Sequence, residues 1–365
     1  MISYFNSLKS FIENFVYQVT IDNFIFKLHY KVTASMLALF SIIGTLNQFV
    51  GDPIDCLDHP QINSQLLDEY CWIHSTFIDH SKMNGTMGVH FPAPGIVNHR
   101  DGEGETFKVT YYPFVCLVHF LMACLLCIPY WIWMLWENGI VKGWVQQLRS
   151  PVIAEETKKD EINRLVQAYK KRFKNNNIYA WIYLFCEFLN CLGVILVIYL
   201  LDIFLGYKFY NYGFEIWKFS TNKTEVNPMI ELFPTVTQCI YRKYGPTGTI
   251  EKLSTLCVLP LNIINGRVYA FLWFWLVIVE ILSIMSFLYR IATFCFKWVR
   301  RCSLRARATF INGEDINWII KECKVGDWFF LLLLAKNMEH LAFKEFISSF
   351  KKALPTDKIS SQSHV

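Results

Sequence analysis

Four long apolar blocks stand out along the chain, separated by polar segments. Residues 28–50 carry one charge, Lys31, near the start; 111–134 carry none; 178–201 carry Glu187; 268–289 carry Glu280. A bilayer core of about 30 Å is crossed by about 20 apolar residues in a helix. Each block therefore predicts one transmembrane helix. Tyr111, Tyr112, Trp131, Trp133, Tyr179, Trp181, Tyr199, Tyr269 and Tyr289 gather toward the block ends, as aromatic side chains do at membrane interfaces. A different period appears elsewhere. Ile162, Leu165, Val166, Tyr169 and Phe173 follow helical spacing, with charges on the opposite face. Phe343, Phe346, Ile347 and Phe350 repeat the pattern, and the apolar run holding Phe329–Leu334 is too short to cross. These predict a helical cytoplasmic layer; for the first stripe a basic membrane-surface helix is the alternative.

Composition agrees with membrane residence. The chain has 365 residues, 53% of them hydrophobic and only 18% charged, against about 25% charged in soluble domains. An ordinary soluble enzyme and a disordered chain are both excluded. The net charge of +5 is small, and no basic tract points to nucleic acid.

Lys and Arg set the orientation. The segment between the second and third blocks holds Lys142, Arg149, Lys158, Lys159, Arg164, Lys170, Lys171, Arg172 and Lys174, and the segment after the fourth holds Arg290, Lys297, Arg300, Arg301, Arg305 and Arg307. Both are predicted cytoplasmic. The loop after the first block has only Lys82, Arg100 and Lys108 against nine acids, and reads as extracellular. The expected layout is a cytoplasmic N-terminal segment (1–27), first span (28–50), first outer loop (51–110), second span (111–134), cytoplasmic loop (135–177), third span (178–201), second outer loop (202–267), fourth span (268–289), cytoplasmic helical region (290–354) and disordered tail (355–365). Both termini are then inside.

Twelve cysteines occur, four of them in the outer loops: Cys56 and Cys71 in the first, Cys239 and Cys257 in the second. Outer loops meet an oxidising compartment, where disulfides persist. Four cysteines allow three pairings, and spacing does not choose among them. Cys124 and Cys127 form a Cys-x-x-Cys in mid-span, where hydrocarbon disfavours a redox thiolate. Two glycosylation sequons, at Asn84 and Asn222, fall in the outer loops. The tail ends Ser363-His364-Val365, a form suited to a PDZ groove.

No catalytic constellation is present: there is no phosphate-binding loop, nucleophile elbow or zinc-protease motif. Five histidines in the first outer loop (His59, His74, His80, His90, His99) match no ligand spacing. No cofactor and no metal are expected. Within the first span, Thr33, Leu37, Ser41, Gly44 and Gln48 fall inside an arc of about 80° on a helical wheel. A small, polar stripe suits a pore wall or close helix packing, and the pattern leaves both open. Glu187 and Glu280 are intramembrane carboxylates, expected to be functional, neutral or paired, with Lys31 as one partner.

Longer motifs carry a family resemblance. The first outer loop opens GDPIDC (51–56) and continues YCWIHSTF (70–77). The second has KYGPTG (243–248) and closes LCVLPLN (256–262); FLWFW (271–275), LRAR (304–307) and GDWF (326–329) follow. In this order the chain resembles an innexin, an invertebrate gap-junction protein, from about residue 28 to 330. The family pattern YYQWV at the second span appears as YYPFV, so Tyr111, Tyr112 and Val115 are kept while Pro113 and Phe114 replace Gln and Trp. The resemblance implies an all-α four-span bundle with two disulfide-linked outer loops. Subunits form a ring, eight by family likeness, homomeric or heteromeric, and rings dock between cells at the plasma membrane. It implies Cys56–Cys257 and Cys71–Cys239 bonds, a helix kink at Pro129, and an N-terminal segment (1 to about 20) folded into the pore mouth. It favours the pore-wall reading of the first-span stripe. Asp52, Asp55 and Asp58, with Asp68 and Glu69, then suggest cation preference through ring-multiplied charge. The function implied is a gap-junction channel subunit; the alternatives are an undocked hemichannel and a non-conducting adhesion or scaffold protein.

Overall fold

The computed structural model describes residues 19–58, 60, 62–79, 83, 88–89, 91–96, 106–145, 148, 155–221 and 227–354. Asn84, Asn222, Ser363, Val365 and most of the N-terminal segment lie outside these residues.

Four helices among the described residues are long and apolar enough to cross a membrane: α1 (Phe24–Val50), α3 (Tyr112–Glu137), α6 (Asn177–Phe204) and α9 (Pro260–Cys295). They fall on the four apolar blocks. α9 has 36 residues, more than its apolar block, because its first turns continue into a polar, buried surface at Asn262 and Asn265. Within α1, residues Leu28–Thr33 form a π-helical stretch, where Thr33 Oγ1 donates to the Leu28 carbonyl at 3.0 Å. α3 begins with a 3-10 turn, Tyr112–Phe114, which accommodates Pro113, since a first-turn proline lacks only an N–H that has no intrahelical partner. The helix then runs through Pro129 to Glu137.

Contacts divide the chain into two compact units. The first comprises Met1–Lys27, Ile128–Cys191 and Ser283–Val365; the second comprises Leu28–Cys127 and Leu192–Leu282.

The second unit contains structure that the apolar pattern does not foretell. Its two loops supply one five-stranded antiparallel sheet in the order β1-β5-β4-β2-β3. β1 (Asp55–Cys56), β2 (Thr76–Asp79) and β3 (Thr106–Val109) come from the first loop; β4 (Val236–Tyr244) and β5 (Ile250–Val258) form a hairpin in the second. α2 (Ser64–His74) precedes β2, and its N-cap Asn63 accepts from Gln65 N–H at 3.0 Å, satisfying a free helix-end donor. α7 (Phe209–Ser220) and α8 (Pro228–Leu232) complete the second loop. Three of the strands have four residues or fewer and all lie within long polar loops, which leaves a weak period beside four strong helical blocks.

The first unit carries a layer of helices: α4 (Ile140–Val145), α5 (Glu155–Arg172), α10 (Lys297–Arg307), α11 (Gly313–Glu322), α12 (Val325–Asn337) and α13 (His340–Ala353). The two amphipathic stripes meet. Tyr169 of α5 packs its ring against Phe346 and Phe350 of α13, at 5.8 and 4.8 Å between centroids. Ile162, Leu165 and Val166 are buried with it, so this stripe serves packing between helices. α12 is buried almost throughout, Trp328 to Ala335 included. The GDWF motif seats its start. Asp327 accepts from Lys174 N–H at 3.0 Å and from Asn176 Nδ2 at 2.7 Å. Gly326 lies so close to the chain that an added Cβ would come within 2.3 Å of the Asn176 backbone.

Candidate functional site: the braced loops and the polar anchor

The sheet places cysteines of the two loops side by side. Cys56 on β1 is in register with Cys257 on β5 and bonded to it; Cys71 on α2 is bonded to Cys239 on β4. The bonds close segments of 201 and 168 residues. Chain-entropy arguments give closures of this length about 5 kcal/mol each, an upper figure for a chain already tethered by its spans. The Cys56, Cys71 and Cys257 sulfurs lie within 4.8 Å of one another, but as disulfide sulfurs they are not thiolates available to a metal.

Asp52, Asp55 and Asp58 are exposed around β1. Asp68 sits beside them and accepts from Cys56 N–H at 2.8 Å. Partial burial raises the Asp68 carboxyl above its ordinary value. The Cys56 hydrogen bond opposes this, and Asp55, Asp58 and Asp52 raise it further. The loop surface thus concentrates negative charge beside a disulfide.

The signature residues of the second span fasten these loops. Tyr111 and Tyr112 are buried, as is Val115. Tyr111 Oη donates to the Leu232 carbonyl at 2.8 Å and accepts from Asn262 Nδ2 at 3.3 Å; the same amide donates to the Pro234 carbonyl at 2.8 Å. Tyr112 Oη donates to the Pro53 carbonyl. One tyrosine therefore holds the second loop and the next holds the first. Phe114, one of the two departures from the family pattern, is 56% exposed, so its side chain is not needed for these tethers.

The first-span stripe requires a correction. Thr33, Leu37 and Ser41 are buried within the subunit. Trp275 Nε1 donates to Thr33 Oγ1 at 3.0 Å, and Ser41 Oγ donates to the Cys116 carbonyl at 2.8 Å. Gly44 lets α3 approach: a Cβ there would stand 2.7 Å from Cys116 Sγ. Gln48 Nε2 donates to the Pro113 carbonyl at 3.3 Å. Thr33, Leu37 and Ser41 serve helix packing and not a pore wall, because small side chains allow two spans to come close, while Gly44 and Gln48 are only half-buried. The exposed face of α1 is instead Ser35, Leu39, Ile42, Leu46 and Phe49, spaced as a helical stripe.

The first unit contains a polar anchor missed by the sequence reading. Arg290 on α9 makes a two-pronged pair with Glu187 on α6, Nε to Oε2 at 2.9 Å and Nη2 to Oε1 at 3.0 Å. Asn23, just before α1, donates to Glu187 Oε1 at 2.7 Å and to Ser286 Oγ at 2.9 Å. The guanidinium lies 4.9 Å from the Tyr183 ring and 5.2 Å from that of Phe329 on α12. Glu187 is thus paired with Arg290 and not with Lys31. The signal was present as an intramembrane carboxylate, but Arg290 falls one residue past the apolar block and reads as a loop charge. Next to this anchor, Thr20 exchanges two hydrogen bonds with the Asn337 side chain, at 2.7 and 2.9 Å, and Lys336 Nζ donates to the Asp22 carbonyl at 2.6 Å. The segment leading into α1 is therefore clamped to α12.

These features define a four-span membrane protein whose two disulfide-bearing loops fold as one braced body. The innexin family model matches residues 22–354. The chain is 39% identical to innexin inx2 of Drosophila melanogaster over 363 residues, 99% of this chain and 98% of that protein. It is 39% identical to innexin inx2 of Schistocerca americana, over 98% of this chain and all of that protein. It is 32% identical to innexin shaking-B of Drosophila melanogaster, over 97% and 95%. The chain belongs to the innexin family. Innexins are the gap-junction channel proteins of invertebrates, channels rather than enzymes, and the chain is a gap-junction subunit.

Proposed function

We propose that subunits of this chain form a ring, eight by family likeness, whose braced loops face outward and dock with a ring on the neighbouring cell. Ions and small solutes then pass by diffusion through one wide pore. Both termini are cytoplasmic, and the channel resides in the plasma membrane at cell–cell junctions. The observation that carries this reading is the joining of both loops in one sheet, fastened by Cys56–Cys257 between strands and by Cys71–Cys239 between α2 and β4. Docking needs a surface of fixed shape, and cross-linking two loops removes the freedom that binding would otherwise have to freeze out. The acidic residues Asp52, Asp55 and Asp58 repeat around such a ring and favour cations. Ser363 and Val365 offer a PDZ partner a C-terminal strand, and Asn84 and Asn222 are offered as glycosylation sites.

The test is electrical. The protein is expressed alone in communication-deficient cells, its surface expression is confirmed, and current is recorded between clamped pairs and in single cells. Junctional current is expected. Current in single cells only assigns a hemichannel, and silence in both assigns an obligate partner subunit or an adhesive role. A reversal potential in a salt gradient checks the cation preference, and glycosidase treatment with a gel shift checks the sequons.

A further inference from the structure

Within the second unit, α1, α3 and α9 enclose a cavity of about 140 Å³. Its wall is apolar at Phe40, Ile43, Val115, Ile264 and Val268, and carries the imidazole of His119. His119 is 2% exposed, and neither of its ring nitrogens has a hydrogen-bond partner among the described residues. The ring is held from two sides, by Phe40 at 6.2 Å and Tyr269 at 5.1 Å between centroids. A neutral imidazole always presents one N–H and one lone pair, and leaving such groups buried and unpaired is unfavourable. The other polar side chains of the wall each make a hydrogen bond: Tyr112 Oη donates to the Pro53 carbonyl, Asn265 Nδ2 to Asn262 Oδ1 at 3.3 Å, and Cys116 Sγ to Gln48 Oε1 at 3.5 Å.

Size and chemistry narrow the partner. An ordered buried water calls for roughly two to four polar partners, whereas an engineered apolar cavity of about 150 Å³ accepts benzene. Here one imidazole without a partner among the described residues faces a mainly apolar wall, whose remaining polar side chains, Tyr112, Asn265 and Cys116, already make hydrogen bonds. The complement is a molecule with one hydroxyl and a compact apolar body. Access is from the spans' own surface, because Ile43 and Ile264 are 37% and 42% exposed.

We propose that this cavity binds a small monohydroxylated amphiphile of about the size of benzyl alcohol, entering from the bilayer. Its hydroxyl pairs with His119 and its body rests on Phe40, Val115 and Val268. The inference depends on the four-span fold and not on docking or conduction.

The full-length protein in lipid nanodiscs is photolabelled with 3-azibutanol, a diazirine-bearing alcohol, and adducts are mapped by mass spectrometry. Benzyl alcohol and toluene, the same ring without the hydroxyl, compete at equal bilayer concentration. Adducts are expected on the segments holding Val115–His119 or Leu261–Val268. Benzyl alcohol is expected to compete about fivefold better than toluene, the ratio one net hydrogen bond supplies. His119→Phe should erase that preference, and Val268→Phe should fill the cavity and remove these adducts while labelling elsewhere persists. Equal competition by toluene, adducts confined to other segments, or unchanged labelling of Val268→Phe overturns the proposal. The wild-type competition decides even if a variant fails to assemble.

Discussion

Removing one member of the Glu187–Arg290 pair should cost more than removing both. The two side chains are 4% and 8% exposed, and the pair makes two charge-assisted hydrogen bonds, at 2.9 and 3.0 Å. Glu187→Met leaves a buried guanidinium facing Tyr183 and Phe329; Arg290→Met leaves a buried carboxylate supported, among the described residues, by Asn23. Breaking such a pair from one side costs about 3–5 kcal/mol, whereas replacing both partners by apolar groups is often close to neutral. For a chain of 365 residues each single variant should melt roughly 4–7 °C lower, with the double variant nearer to wild type than either. The assay is thermal stability of solubilised protein, read as loss of the oligomer peak in fluorescence-detected gel filtration. Single variants within about 2 °C of wild type, or a double variant whose loss equals the sum of the singles, would refute the reasoning, because independent sites add and a coupled pair does not.

Other expectations follow from the same contacts. Cys56→Ser or Cys257→Ser should shift mobility on non-reducing gels and abolish junctional coupling; normal coupling counts against the need for inter-loop bracing. Gly326→Ala brings a Cβ to 2.3 Å from the Asn176 backbone, a clash that costs about 1–3 kcal/mol or more; surface expression at the wild-type level would show that the α5–α6 turn yields freely. Lys336 is pushed down to about 8 from the ordinary 10.5, by burial first and by Arg307 and Lys27 next. A cation whose folded value is lowered favours the fold more as pH rises from about 8 toward 10.5, where the unfolded chain still binds the proton. Lys336→Met should therefore flatten the rise in thermal stability over that window, and identical pH slopes in both proteins would count against this assignment.

The sequence made the spans legible and left their faces ambiguous. Hydropathy located all four membrane helices, and the 3.6-residue period located the helices that became α5 and α13, down to the side chains that pack. The stripe Thr33, Leu37, Ser41, Gly44 and Gln48 was visible as a stripe, but a helical wheel carries no neighbour. Small and polar residues suit water or a close helix equally, and the partner proved to be Cys116, Pro113 and Trp275 of the same subunit. The sheet was invisible for a related reason. The pairings that join the two loops span well over 100 residues of sequence (Cys56 with Cys257, Phe77 with Gln238), and long-range pairing leaves little local signal; only the β4–β5 hairpin is local.

By itself, then, the sequence determined what burial in lipid demands: four apolar helices, the side on which basic residues concentrate, and a set of loop cysteines. The helices and the charge placement follow from the cost of exposing backbone and charge to hydrocarbon, which acts residue by residue, and the loop cysteines from an oxidising compartment. Only the tertiary structure decided which side chains meet. Arg290 answers Glu187, Tyr111 and Tyr112 tie the two loops to the spans, and α12 clamps the segment before α1. His119 is left facing a cavity. Such pairings depend on distances between segments far apart in the chain, and one-dimensional periodicity does not encode them.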